Sequence, residues 1–194
     1  MDSDKSSHRI RSRTRCEGHY NNGEVILIME QPDKKFWAYA KTNKDFVFIE
    51  TYSGYWNCLP DPEGKQFNLL ASSEDETIGH AIVEALAASR FLHPKDYPDF
   101  FDIRGRVVPQ YEEWVKSIMD EYGYKTKRAM FNGMKSCGIE SQNGMITLRP
   151  SYHEKLEAWS GKGITEADYV VISANSPPAN IGAALRLALS RCKG

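Results

Sequence analysis

His153, Glu154 and Glu157 are the nearest approach to a catalytic pattern in this chain of 194 residues. His153-Glu154 opens an H-E-x-x run. Glu157 stands where a zinc protease needs its second histidine, so the usual zincin arrangement is excluded. The three side chains remain a conceivable acid/base set, and a surface turn is the plainer reading. His8 and His19 flank Arg9, Arg11, Arg13 and Arg15. Two histidines beside a cation are what a metal-independent ribonuclease uses for its two proton transfers, but nothing in the sequence fixes their geometry. His80 and His93 read as structural. Cys16, Cys58, Cys137 and Cys192 form neither a C-x-x-C pair nor a zinc spacing, which predicts free thiols, no structural metal and no cofactor. G-x-G-x-x-G, P-loop and G-x-S-x-G motifs are absent. Ser72-Ser73 and Asn175-Ser176 are candidate anion sites at helix N-termini. Glu74, Asp75 and Glu76 oppose an anion in the first, and N-capping explains both. The chemistry-bearing residues therefore predict a binding protein, not an enzyme.

Charge points to a partner more than to a reaction. The formal net charge is −1, which gives no global case for nucleic acid or membrane. Between Asp61 and Glu121, however, thirteen acidic residues face six basic ones. Lys125, Lys127, Arg128 and Lys135 form a basic stretch after it, and Arg9–Arg15 a second. The acidic middle is either a solvated face or a surface for a basic partner. No apolar run approaches the ~18 residues of a membrane span. Residues 1–15 are polar and basic without a signal-peptide core, so a cytoplasmic protein is expected.

These residues need a scaffold, and the pattern of the chain supplies one. Residues 1–22 are expected to be a flexible or weakly ordered N-terminal segment, and 23–194 one α+β domain. The apolar share of 41% supports a sizeable core. Runs at 24–29, 36–40 and 45–49, parted by turn residues, read as an antiparallel meander. Tyr52, Tyr55 and Trp56 follow in a loop-rich stretch, either exposed for contact or roofing the core. Pro109 and Gly123 bracket a helix over Tyr111–Tyr122, with Trp114, Val115, Ile118 and Tyr122 on its apolar stripe. Residues 124–150 read as β, with hairpins at Asn132-Gly133 and Asn143-Gly144. Residues 152–159 read as one or two helical turns, and 169–172 as a buried strand.

One phrase occurs twice. Ile78-Gly79 with Ala81, Ile82, Ala85 and Leu86 returns 103 positions later as Ile181-Gly182 with Ala184, Leu185, Ala188 and Leu189. Each copy has an apolar stretch, a short polar loop and an amphipathic helix, with Ser73 and Ser176 as expected N-caps. A helix-interior glycine costs ~1 kcal/mol against alanine, so two at matching places predict a close helix contact. The expected architecture is a largely antiparallel sheet carrying the two repeat helices and the 111–122 helix.

Several of these segments carry a likeness. Met134-Lys-Ser-Cys-Gly-Ile139, Gly144-Met-Ile-Thr-Leu-Arg-Pro150, Lys155-Leu-Glu-Ala-Trp159 and the helix from Ile181 to Cys192 resemble the immunity proteins of bacterial contact-dependent growth inhibition (CDI) systems. The phrase from Ile78-Gly79 to Ser89-Arg90-Phe91 looks like the same family's other marked segment. The resemblance spans 46–192 and is best from Phe131 onward. It implies a cytosolic antidote that binds a cognate toxin domain, commonly a nuclease and often one that attacks transfer RNA, as a 1:1 heterodimer without catalysis of its own. The family phrases define packing, so the interface must come from physical chemistry. A toxin that binds nucleic acid carries a basic groove, and an acidic antidote surface complements it. That nominates Asp96, Tyr97, Asp99, Phe100, Asp102, Tyr111, Glu112, Glu113, Asp120 and Glu121, with Glu74–Glu76 as an extension. The alternative is an RNA-binding or RNA-processing protein using Arg9–Arg15 and the 125–135 segment, and a small enzyme built on His153 is a third reading.

Overall fold

The computed structural model describes residues 34–194. The expected strand at 24–29, the Arg9–Arg15 run, His8, His19, Cys16 and the 22/23 boundary lie outside the described residues.

Among the described residues seven antiparallel strands form one sheet. β1 (Phe36–Thr42) pairs β2 (Phe46–Gly54) on one side and β5 (Lys135–Gln142) on the other. β6 (Met145–Pro150) follows β5, and β9 (Val170–Ser173) closes that edge. On the opposite edge, β3 (Cys58–Pro60) and β4 (Gln66–Leu70) share the outer side of β2, each along one end. A separate hairpin joins β7 (Tyr152–Lys155) to β8 (Ala158–Ser160). The helices are α1 (Asp75–Ala87), α2 (Val108–Tyr122), α3 (Lys127–Phe131) and α4 (Pro178–Ser190).

Strand alternation sorts the two faces. Ala38 and Ala40 of β1, Val47 and Ile49 of β2, Cys137 and Ile139 of β5, and Ile146 and Leu148 of β6 point to one side and are buried. α1 and α4 cover them with Ile78, Ile82, Ile181 and Leu185, each fully buried. Full burial of one such side chain contributes about 1.5–3 kcal/mol. Phe46 and Phe48 point to the other side, where Val115, Ile118, Met130, Phe131 and Met134 close a second core. The remainder of that second face carries polar and aromatic groups.

The duplicated phrase is part of a larger repetition. The hairpin β1-β2, strand β4 and helix α1 recur as hairpin β5-β6, strand β9 and helix α4. The path β4-β2-β1-β5-β6-β9 is therefore a palindrome about the β1-β5 junction. Gly79 approaches the Pro178 carbonyl oxygen, and Gly182 approaches the Asp75 carbonyl oxygen, so closely that a β-carbon on either would overlap it. That reciprocal contact is the packing reason for both glycines.

Two expected caps are not formed. The helices start one residue late, after Glu74 and Pro177, and neither has a side-chain cap. Ser73 and Ser176 instead close turns, their N–H groups donating to Leu70 O at 2.9 Å and Ser173 O at 3.1 Å. The Asn132-Gly133 hairpin is also absent. Thr126 caps α3 by accepting from Ala129 N at 3.1 Å, and Met130 and Phe131 are drawn into the second core. Residues 152–159 are the β7-β8 hairpin, not helical turns, because Trp159 stacks on His153 and donates to Met134 O at 3.2 Å. β9 is an edge strand with Val171 57% exposed, so the run at 169–172 is half-buried. The Asn143-Gly144 hairpin is present with both residues at positive φ (51° and 73°), the geometry of a type I′ turn. α2 ends at Gly123, φ 70°.

Candidate functional site

The acidic residues singled out in the sequence fall on two neighbouring pieces of surface. Asp96, Tyr97, Asp99 and Asp102 are exposed on the connection between α1 and α2. Phe100 is buried, with the Arg106 guanidinium 4.4 Å above its ring. Arg106 Nε donates to Phe100 O at 2.8 Å, and Nη1 donates to Pro60 O at 2.8 Å and Gln110 Oε1 at 2.9 Å. One side chain thus ties the acidic connection to β3 and α2. Asp102 caps the turn before α2 by accepting from Gly105 N at 2.9 Å.

Glu112, Glu113, Asp120 and Glu121 are exposed along α2. Tyr111 is half-buried, and its hydroxyl donates to Glu157 Oε2 at 2.7 Å. Burial and the Glu157 carboxylate together push the Tyr111 phenol well above its ordinary range. Burial alone would raise Glu157, but the Tyr111 hydroxyl and the Lys127 ammonium hold it below the usual carboxylate value. Eight of the ten nominated residues are therefore presented to solvent, while Phe100 and Tyr111 anchor the segments that carry them.

The connection is held to the sheet edge by Arg90 and Asp61. Arg90 donates to Asp61 through Nε at 2.7 Å and Nη2 at 2.6 Å, and to Glu63 through Nη1 at 2.8 Å. The Ser53 hydroxyl donates to Asp61 at 2.6 Å. Beyond this clamp, Tyr55 packs edge-on against Trp56 and Phe91 and lies 4.7 Å from the His93 ring. Trp56 is 85% exposed, while Tyr52 is half-buried on Tyr39. The loop aromatics thus split between contact-ready and core-roofing positions.

The uncovered part of the second sheet face forms a cleft of about 370 Å³ lined by Trp37, Tyr39, Glu140, Arg149, Trp159 and Tyr169. Glu140 accepts from Lys35 at 3.2 Å, Trp37 Nε1 at 3.2 Å and both Arg149 nitrogens at 3.1 and 3.0 Å. Burial would raise this carboxyl, but Arg149 and Lys35 bring it below its ordinary value. Burial lifts the Tyr39 hydroxyl to about 12. The Glu140 carboxylate thus ties β1, through Trp37, and β6, through Arg149, to β5. Sequence reasoning missed this cleft because Glu140 and Arg149 look ordinary until β5 and β6 pair.

The catalytic candidates do not converge. His153 Nε2 lies 3.1 Å from Leu156 O with the ring flat on Trp159, and Glu157 is engaged by Tyr111 and Lys127. Among the described residues no three His, Cys, Asp or Glu side chains are grouped as a metal site. Cys58, Cys137 and Cys192 are free thiols. Of the basic 125–135 stretch, Lys127 is paired with Glu157 at 3.0 Å. No helix among the described residues is long and apolar enough to cross a membrane.

A strand-loop-helix unit used twice around one antiparallel sheet, with a charged connection laid over an edge, defines an α+β fold class. Comparison with known proteins gives it a family. The pattern of the CDI immunity protein family, CdiI, matches residues 36–192, and the chain belongs to that family. It is 46% identical over 173 residues to immunity protein CdiI-YPIII of Yersinia pseudotuberculosis serotype O:3 (strain YPIII), covering 83% of this chain and 97% of that one. Among solved structures, it superposes on a chain of the CdiA-CT/CdiI toxin and immunity complex from Yersinia pseudotuberculosis with a TM-score of 0.77 and 45% identity. That match covers 82% of this chain and 98% of the other. A protein of unknown function, NMB0488 from Neisseria meningitidis, matches with a TM-score of 0.75 and 38% identity over 86% of this chain and 100% of that one.

Proposed function

We propose that the chain binds the cognate C-terminal toxin domain of a CDI system as a 1:1 heterodimer in the cytoplasm and silences it by occlusion. It uses no cofactor and no catalysis of its own. The observation that carries this is the 46% identity, over nearly the whole relative, to a protein named as an immunity protein. The toxin is a nuclease in this reading, with transfer RNA as its substrate. Asp96, Tyr97, Asp99, Asp102, Glu112, Glu113, Asp120 and Glu121 face its basic substrate groove. Phe100 and Tyr111 set the angle of that surface.

Opposite charge speeds encounter and excludes wrong partners. Co-production with the toxin domain encoded beside this gene tests the proposal. A stable 1:1 complex with silenced toxin activity is the expected result. Reversal of Asp99 and Glu113 to lysine should slow association about tenfold at low salt, with the difference shrinking as salt rises. No complex at micromolar concentration, together with unprotected cells, would overturn the reading.

A further inference from the structure

Between β4 and α2 runs a groove of about 570 Å³. Phe48 and Trp114 line its floor. Gln66 and Asn68 rise from the edge strand, and Glu113, Ser117 and Glu121 from the helix. The last three lie four residues apart, so they form one stripe along α2. Among the described residues no lysine or arginine lines the groove. Among the described residues Glu113 and Glu121 have no cationic partner. Glu121 accepts only a neutral amide hydrogen bond, from Asn68 at 2.7 Å. The nearby Lys41 ammonium, 5.2 Å from the Trp114 ring centre, is already paired with Glu50 at 3.0 Å. The indole N–H of Trp114 is enclosed without an acceptor among the described residues.

We infer that this groove receives a lysine- or arginine-bearing segment of the toxin, with Glu113 and Glu121 as its ion-pair partners and the aromatic floor beneath its aliphatic stems. The inference rests on the immunity reading and narrows it to one place. Three features of the groove fit that occupant. Two carboxylates stand on one helical stripe with no cation among the described residues to neutralise them. The amides of Gln66 and Asn68 face them and can both donate and accept. An aromatic floor takes the methylene stem or guanidinium plane of a basic side chain better than it takes a carboxylate. An acidic or purely apolar segment would leave both carboxylates desolvated without compensation.

The test uses the purified toxin domain and the full chain. Ser117→Arg fills the groove and places a cation between the two carboxylates, at an exposed position that tolerates a good helix former. Glu113→Gln/Glu121→Gln removes both charges with little change of shape. Each should weaken toxin affinity about tenfold or more, while circular dichroism and thermal midpoint stay at wild-type values. Glu84→Gln/Glu166→Gln, an equal loss of two charges on exposed α1 and just before β9 at the opposite sheet edge, should leave affinity unchanged. If wild-type protein binds toxin and both groove variants bind as tightly, the groove assignment is wrong while the immunity reading stands. If Glu84→Gln/Glu166→Gln weakens binding as much as the groove pair, net charge is responsible and the assignment fails. If wild-type protein itself does not bind, the parent reading fails and takes the groove with it.

Discussion

Asp61 has no exposed side-chain surface and accepts four hydrogen bonds: two from the Arg90 fork, which is also its ion-pair partner, one from the Ser53 hydroxyl and one from the Glu63 N–H at 3.0 Å. Burial would raise its carboxyl, but these donors outweigh burial and hold it below its ordinary value. A carboxyl with a depressed folded value stabilises the fold fully above its unfolded value of ~3.9 and loses that contribution as pH falls through the folded value. Asp61→Asn keeps the shape but leaves Arg90 and Ser53 poorly matched, at a cost of roughly 3 kcal/mol near neutrality. Urea unfolding of both proteins at pH 7 and pH 3 should show the gap narrowing in acid. An equal gap at both values would show that the ionised form of Asp61 is not what stabilises this edge.

The paired helices show how far sequence patterns reach. Ile78, Ala81, Ile82, Ala85 and Leu86 on α1 and their counterparts on α4 were readable from their 3.6-residue period, and all of them are buried. The glycines were readable as a contact because a helix tolerates them poorly without cause. A β-carbon at either glycine strikes backbone, which cannot rotate away. Gly79→Ala or Gly182→Ala should therefore force the helix N-termini apart and cost roughly 1–3 kcal/mol, lowering the thermal midpoint by several degrees. A midpoint unchanged in either variant would show that the helices have room to separate freely. What could not be read was decided by tertiary contacts. The Met130 and Phe131 side chains make α3 where local turn chemistry favours a hairpin, and Trp159 against His153 makes a hairpin where composition allowed a helix. Of the candidate surface, the exposed charges were legible from their clustering. The groove that gathers Glu113 with Gln66 was not, because the two residues are 47 positions apart, on elements that meet only across the second core.

The palindromic sheet gives the chain a symmetry that its charges invert. In the first hairpin Lys41 lies opposite Phe48 and reaches diagonally to Glu50, at 3.0 Å. In the second, Glu140 lies opposite Thr147 and reaches the same diagonal to Arg149, also at 3.0 Å. The place of the cation in one half is the place of the anion in the other. Lys41 and Glu140 lie four ladder positions apart across the β1-β5 junction, so each charge is neutralised within its own hairpin. The halves also share their helix layer, since each glycine needs the other half's carbonyl oxygen as its neighbour. Neither half buries its own apolar face alone: α1 without α4 would expose Ile78 and Ile82, and β1 without β5 would open an edge through the middle of the sheet. We therefore expect residues 34–194 to unfold in one cooperative step, with tryptophan fluorescence and far-ultraviolet circular dichroism giving coincident urea transitions. Amide exchange should protect β1 and β5 to the same depth, because opening either one breaks both halves. Two separated transitions, or β1 exchanging well before β5, would show that the repeats fold as independent units and that the shared helix contact stabilises neither.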